Sequence, residues 1–221
     1  MESVTSLQAQ LSNFNESLPV QFKFSESNIH DNFDTSEGPA FIMLSTWYFQ
    51  LHIDLYRFSV PGLREEANSE LSRQLPKAFI LKSQKQAVGY AVTLARFWEK
   101  LQRRVSHRAP GIDRLVTADH NLAICIIQSS KVLLAARQHR LYTDLQEHST
   151  APLCRNKPVD DEGLAALIQS NLEMLDPISA YLPRMNILVW HTVAVARSSV
   201  EANTFIGTGS QNYCRQFPTQ A

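Results

Sequence analysis

The side chains that could carry out chemistry in this chain are few and scattered. His52 and Asp54 lie two positions apart in a predicted helix. Side chains at that spacing diverge, so this pair cannot share a proton or a metal ion. Asp54 and Arg57 lie three positions apart, a spacing that favours an ion pair at the surface or between helices. We therefore predict structural roles for these three side chains and no catalytic one.

A basic run near residue 100 is the best electrostatic candidate for a binding site. Its members are Lys100, Arg103, Arg104, His107 and Arg108, with Arg114 beyond them. On a helix, positions 100, 103/104 and 107/108 share a face that could hold phosphate or an acidic peptide. The same cations also suit the last turns of a helix, where they complement the negative end of the helix dipole. The pattern thus predicts either an anion or partner patch or a solvated helix end, and the second interpretation is favoured.

Motifs of known catalytic and cofactor sites are absent from the sequence. It has no G-x-S-x-G, H-E-x-x-H, G-x-G-x-x-G or P-loop pattern. The glycine-rich stretch 207–210 neither follows a predicted strand nor clearly opens a helix, as a phosphate-binding loop would. The carboxylates of residues 160–162 suit the start of a helix better than a cation site. We expect no catalytic, cofactor-binding or metal-binding residue in this chain, although a site assembled from distant residues would leave no such motif.

Cysteine usage points away from disulfides and zinc. Cys125, Cys154 and Cys214 lie 29 and 60 residues apart, without a C-x-x-C pair. A disulfide framework or a zinc ligand set needs paired or closer spacing. Cys125 lies in a short apolar run and is predicted to be a buried, unreactive thiol.

Composition excludes several broad classes of protein. The 221 residues are 44% hydrophobic and 19% charged, which is incompatible with wholesale disorder. The formal net charge is zero, which removes the long-range attraction on which a free-standing nucleic-acid binder relies. No apolar run approaches the ~18 residues that span a bilayer, and residues 1–5 lack the features of a signal peptide. We therefore expect a soluble, intracellular chain that contacts neither membrane nor nucleic acid directly.

The elements that must position any site are helices. There are only 7 glycines, and six of them fall where the apolar pattern breaks. The strongest periodicity has apolar residues at spacings of four, three, four and three from Ala87 to Leu101. Helices are predicted over residues 6–14, 39–60, 63–74, 78–105, 113–138, about 160–175 and 178–202, with residues 20–38 as a connection. The helix at 39–60 is apolar over most of its circumference and should lie centrally, and Asp176-Pro177 should break the helix that precedes it.

These patterns predict an all-α fold. We expect an irregular bundle of about seven helices in one domain over residues 1–202, followed by a loose tail over residues 203–221. Charge is unevenly distributed along it: residues 1–60 carry a net −5, residues 61–140 a net +8 and residues 141–221 a net −3. A basic middle between acidic ends could mark a surface for an anionic partner, but mutual neutralisation across the fold is favoured.

Two stretches carry a resemblance to a known family. The first is a helical pattern of Leu7, Leu11 and Phe14, followed by the sequence Glu16-Ser17-Leu18-Pro19. It resembles the helix and short Leu-Pro break before the final helices in the regulatory domains of fungal zinc-cluster transcription factors. The second and more distinctive is LHIDLYRFSVPG at 51–62, which is similar to the helix with His-x-x-Leu-Tyr-Arg and then Pro-Gly in the later part of that domain.

The resemblance covers about residues 1–200 and implies a transcription-regulatory module in the nucleus. Members of this family bind DNA through six closely spaced cysteines that hold two zinc ions. This chain has only three dispersed cysteines, so zinc and DNA binding carry over to none of its residues and are expected only in a missing N-terminal part. The implied partners are other proteins, a small ligand in a pocket between helices, or that missing DNA-binding region through an intramolecular contact.

Two other functions stay open at this point. One is an α-helical enzyme with a dispersed site, which predicts a polar concave pocket with strongly shifted pKa values. The other is a non-catalytic scaffold that forms a homodimer through an apolar face of the helix that runs from Phe41 to Phe58. Our prediction is the regulatory module, with no enzymatic activity.

Overall fold

The predicted all-α class is confirmed by a computed structural model of the chain. The structure describes residues 2–33, 35–67, 69–105, 120–143, 145 and 159–181, and no strand occurs among them. These residues form seven α-helices: α1 (Glu2–Ser17), α2 (Glu26–Asn32), α3 (Gly38–Tyr56), α4 (Ser69–Gln74), α5 (Lys77–Val105), α6 (His120–Gln138) and α7 (Asp161–Tyr181). Short 3-10 turns occupy Val20–Phe22 and Arg57–Ser59. The predicted tail over 203–221 and nearly all of the predicted helix 178–202 lie outside the described residues.

Helix α5 is the central element of the bundle. It contacts α3, α6 and α7 along its length. The predicted apolar stripe explains this position, because Ala87, Ala91, Leu94, Trp98 and Leu101 are all at most 1% exposed. Residues between them, such as Val88 and Ala95, are also fully buried, so the stripe is wide enough to meet three neighbouring helices at once.

Aromatic side chains join α3 to α5. The ring of Phe49 in α3 lies 4.5 Å from that of Phe24 and 6.4 Å from that of Phe97 in α5. Phe41, two turns earlier in α3, lies 6.3 Å from Phe97. These pairs meet edge to face, the arrangement that the quadrupole of an aromatic ring prefers. The side chains of Phe41, Phe49 and Phe97 are at most 1% exposed, so this cluster is part of the core.

The prediction of a plain connection over residues 20–38 was wrong. The segment contains a 3-10 turn and helix α2. Ser25 caps α2, because its hydroxyl accepts a hydrogen bond from the backbone N–H of Asn28 at 3.0 Å. The Asn28 amide in turn donates to the carbonyls of Val20 and Lys23, at 2.6 and 2.7 Å. The polar residues that predicted a loop are therefore capping groups of a short helix.

Several predicted boundaries also differ from the structure. α1 is longer than predicted at both ends, α3 ends at Tyr56 rather than at residue 60, and α4 begins at Ser69 rather than at residue 63. Gly62 has a φ of 79°, which reverses the chain between α3 and α4. The predicted break at Asp176-Pro177 was wrong, since α7 continues to Tyr181. A proline removes only one backbone donor, and a helix can continue through it at a local energetic cost.

One ion pair joins the basic middle of the chain to its acidic last third. The Arg137 guanidinium in α6 donates to both carboxylate oxygens of Asp161 in α7, at 3.0 and 2.8 Å. This bidentate contact lowers the pKa of Asp161 below its usual value. At this point of the fold, opposite charges from the two segments neutralise each other, as the favoured interpretation of the charge distribution predicts.

The start of α3 depends on a glycine. A Cβ atom at Gly38 would lie 2.8 Å from the backbone oxygen of Asn32 and 2.9 Å from that of Phe33. Because both neighbours are backbone atoms, the entry into α3 would have to move. We predict that Gly38→Ala lowers the free energy of unfolding by about 1–3 kcal/mol, measured by urea denaturation.

The matched control for this change is Gly163→Ala in the first turn of α7. There the added Cβ would meet only the Asp160 carboxylate oxygen, at 2.9 Å. Moving this oxygen weakens the hydrogen bond that it accepts from the Gly163 N–H, which the better helix propensity of alanine partly offsets. We expect a loss below about 1 kcal/mol. Equal losses in the two variants would show that close packing at Gly38 does not govern this helix start.

Candidate functional site

The distinctive stretch 51–62 forms a structural joint at the end of α3. The His52 side chain is 2% exposed, and its ring stacks on that of Tyr90 in α5, with centroids 4.0 Å apart and planes 6° apart. The Tyr48 ring meets the same imidazole edge-on at 4.7 Å. His52 therefore has the structural role that its isolated position in the sequence predicts.

Burial keeps these ring groups in their neutral forms. Loss of hydration lowers the pKa of His52 to about 4, and neither ring nitrogen has a hydrogen-bond partner among the described residues. Burial, followed by the nearby Tyr90, raises the pKa of Tyr48 and of Tyr56 to about 12. Near pH 7 these three groups are therefore neutral.

Arg57 ties the end of α3 to two other parts of the fold. Its guanidinium lies 3.3 Å from the Asp54 carboxylate, which confirms the predicted ion pair, and 3.6 Å from that of Glu65. It also donates a short hydrogen bond to the side-chain oxygen of Gln128 in α6. The motif Asp-Leu-Tyr-Arg thus serves packing, because Tyr56 is 4% exposed.

The basic run is engaged by its neighbours where the structure describes it. Arg103 pairs with Glu99 at 2.5 Å. Arg104 donates to the backbone carbonyl of His30 in α2 at 3.0 Å, and its guanidinium carbon lies 5.8 Å from the centre of the Phe33 ring. Lys100 is half-buried. The remaining predicted members, His107 and Arg108, lie outside the described residues, so the anion or partner patch stays a prediction.

An open apolar groove lies between α1 and α3. It has a volume of about 540 Å³. Its lining residues are Leu7, Gln10, Leu11 and Phe14 of α1 and Leu51, Asp54 and Leu55 of α3. The apolar walls are unusually accessible: Leu7 is 49% exposed, Phe14 41% and Leu51 44%. Exposed apolar side chains that adjoin one another in this way are typical of an interaction surface.

The two helices of the groove are antiparallel. Leu7 and Leu11, early in α1, line the groove with Leu51 and Leu55, late in α3. At the other end, Leu18, just after α1, lies near Leu44. The apolar spacings of four and three in α1 therefore produce a stripe that α3 covers only in part.

Trp47 extends the apolar surface along α3. It precedes Leu51 by four residues, so the two share one face of the helix. Trp47 is 40% exposed, and its indole N–H points to the sulfur of Met43 at 3.1 Å. The expectation that α3 lies centrally was therefore only half correct, because one face packs on α5 while the opposite face is open to solvent.

Among the residues that the structure describes, Asp54 is the one ionisable residue that lines the groove. The Gln50 amide donates to its Oδ1 at 2.9 Å, and Arg57 approaches the same oxygen. Both contacts described for this carboxylate use Oδ1, and the Asp54 side chain is 40% exposed. Partial burial raises the pKa of Asp54, while Arg57 and the Gln50 hydrogen bond oppose the rise.

A second, polar groove lies between α5 and α7. Its volume is about 440 Å³, and its walls include Gln102, Arg103 and Ser170. These groups already bond to protein partners: Ser170 donates to Gln102 at 3.1 Å, and Arg103 pairs with Glu99. Because these polar groups already bond to other groups of the protein, this groove is a poorer candidate for a binding site than the apolar groove.

The remaining sequence candidates have structural explanations. Cys125 is 2% exposed, as predicted. The Asp160 carboxylate accepts a hydrogen bond from the backbone N–H of Gly163 at 2.7 Å and so caps α7, which confirms its predicted role at a helix start. Within the described ranges there is no group of three or more His, Cys, Asp or Glu residues able to hold a metal ion. The glycine-rich stretch 207–210 lies outside the described residues.

Comparisons with other proteins return nothing similar. No family model, no curated protein and no solved structure matches this chain. Among the helices that the structure describes, none is both long and apolar enough to cross a membrane.

The buried imidazole predicts a pH dependence of stability. The pKa of His52 is about 4 in the folded chain, against ~6.5 in an unfolded chain. The unfolded state therefore binds more protons between these values. The stabilising effect of a neutral His52 is complete above pH 6.5 and is lost as the pH falls towards 4. We predict that the free energy of unfolding falls by about 2 kcal/mol more in the native chain than in His52→Phe between pH 7 and pH 5.

Urea denaturation at the two pH values measures this difference. Phenylalanine keeps an aromatic ring against Tyr90 but has no titratable nitrogen, so other groups that titrate in this range contribute equally to both proteins. Parallel losses in the native chain and the variant would contradict a depressed pKa for His52.

Proposed function

We propose that this chain is a non-catalytic helical module of a transcription regulator and that it acts by binding a helix of a partner protein. The observation that carries the proposal is the apolar groove between α1 and α3. It joins half-exposed Leu7, Phe14 and Leu51 in one surface. Most of the other candidate groups make contacts within the fold, as His52, Arg57 and Arg104 do.

The shape of the groove favours a helix over a small molecule. A small-molecule pocket buries most of the surface of its ligand, whereas the walls here are 41–49% exposed at three positions. A groove between two antiparallel helices instead suits the apolar face of a third helix, whose side chains recur at spacings of three and four. Trp47 beside the groove adds an aromatic side chain of the type that dominates binding energy at interfaces.

The transcriptional part of the proposal rests on the resemblance of residues 51–62 to the fungal zinc-cluster regulators. In the fold, these residues connect α3 to α5 through His52 and to α6 through Arg57. A motif that joins helices in this way is useful to a helical regulatory domain that catalyses no reaction. Under this proposal the chain works in the nucleus, and the recognition of DNA belongs to a different part of the regulator.

A homodimer through α3 is the second candidate. The exposed side chains of Trp47 and Leu51 on one face of α3 favour it. Sedimentation velocity distinguishes the homodimer from the helix-binding module, because the module is expected to be monomeric at micromolar concentration in the absence of a partner. An enzyme remains a weaker alternative, since the polar groove between α5 and α7 consists of groups that bond to one another.

A reporter assay tests the proposed function. The full chain is fused to an unrelated DNA-binding domain, and the transcription of a reporter gene is measured in fungal cells. We expect the fusion to change reporter output relative to the DNA-binding domain alone. Leu51→Glu should abolish the change, because it places a second carboxylate in the groove, next to Asp54.

Leu81→Glu in α5 is the matched control. Leu81 is 51% exposed, comparable with the 44% of Leu51, and it does not line the groove. Thermal unfolding of both variants verifies that each one folds. A folded Leu51→Glu fusion with unchanged output would refute the groove as the effector surface.

A further inference from the structure

We infer that the groove between α1 and α3 selects a partner helix that carries Lys or Arg beside its apolar stripe. The inference rests on the proposed function and defines the chemistry of the partner. It follows from the charges of the two helices that build the groove, taken together with the position of Asp54.

The two helices that build the groove carry carboxylates but no Lys or Arg. α1 and α3 together contain Glu2, Glu16 and Asp54 and no Lys or Arg. The wider segment from residue 1 to residue 60 has 2 basic and 7 acidic side chains. A partner with an apolar stripe and no charge would gain nothing from this field, whereas a cationic one is steered towards it and held in register.

Asp54 supplies a defined contact point for a cation. It lies among the apolar residues Leu51 and Leu55, and its Oδ1 is occupied by Gln50 and Arg57. The Asp54 side chain is 40% exposed, so an incoming Lys or Arg can reach its carboxylate. A charge-assisted hydrogen bond to an ionised carboxylate is stronger than one between neutral groups.

The same charges argue against a second copy of this chain as the occupant. In a two-fold dimer, each residue of the interface faces the same patch on the other subunit. Pairing two of these grooves would therefore bring Asp54 of one subunit towards the groove of the other, where neither α1 nor α3 supplies a Lys or Arg and where Arg57 already pairs with its own Asp54. Like charges that face each other across an interface weaken it.

The length of the groove defines the probe. Leu7 and Phe14 are seven residue steps apart in α1, or about 10 Å along the helix. This length takes three apolar side chains of a partner helix at positions i, i+4 and i+7. Two 18-residue peptides are therefore compared, each with leucine at these positions and each fluorescently labelled. One has Lys and Arg at the positions that flank the stripe, and the other has Glu and Gln.

Fluorescence anisotropy with the full chain measures both affinities at low and high salt. At about 0.1 M salt the basic peptide should bind at least tenfold more tightly than the acidic one, and the ratio should fall at about 0.5 M salt. Asp54→Asn should reduce the ratio several-fold while the leucine contacts remain. Leu51→Glu should weaken the binding of both peptides, because it disrupts the contacts with the leucines that they share. Leu81→Glu should leave both affinities unchanged.

The outcomes separate this inference from the proposed function. Equal affinities for the two peptides, both lost in Leu51→Glu, would refute the cationic partner and leave the groove as a helix-binding site. Absence of binding by either peptide would refute both statements. Concentration-dependent dimerisation that Leu51→Glu abolishes would assign the groove to a second copy and overturn the inference.

Discussion

The packing of α3 against α5 is the constraint on which the rest of this structure depends. α5 has a stripe wide enough to contact three helices, and among the residues that the structure describes α3 is the one of the three that meets it through aromatic rings. Phe49 packs against both Phe97 and Tyr90, and one turn later His52 stacks on Tyr90. These ring contacts hold one face of α3 against α5. The identity of its outward-facing residues follows from that geometry.

The orientation of α3 about its own axis determines that an apolar face of this helix is directed away from α5. The helix is rich in apolar residues on every side, and the face opposite α5 carries Trp47, Leu51 and Leu55. α1 covers this face only in part, because its own stripe is narrow and its remaining positions are polar. Partial cover leaves a groove instead of a closed core. The polar and charged groups around it serve the fold: Arg57 holds the end of α3, and Gln50 holds Asp54.

Local patterns in the sequence account for the helices but not for the groove. The periodicity from Ala87 to Leu101 predicts α5 and its burial, because the apolar residues of a buried helix face recur at helical spacing within a single segment. The Asp54–Arg57 pair and the cap at Asp160 are equally local. The openness of α3 depends on how much of it α1 covers, which is a property of two helices together. The short helix α2 was missed since Ser25 and Asn28, its capping residues, are also typical of loops.

Arg57 links the wall of the groove to α6, which also packs on α3. One guanidinium contacts a carboxylate in the groove wall, the loop residue Glu65 and Gln128 of α6. If a cation of a partner helix binds Asp54, it adds positive charge beside Arg57, whose guanidinium also contacts α6. Should that charge weaken the contact between Arg57 and Gln128, thermodynamic linkage would make the effect mutual, so that a change at α6 would alter the affinity of the groove by the same free energy. The Arg57 side chain is thus the contact through which binding at the groove would be transmitted to α6.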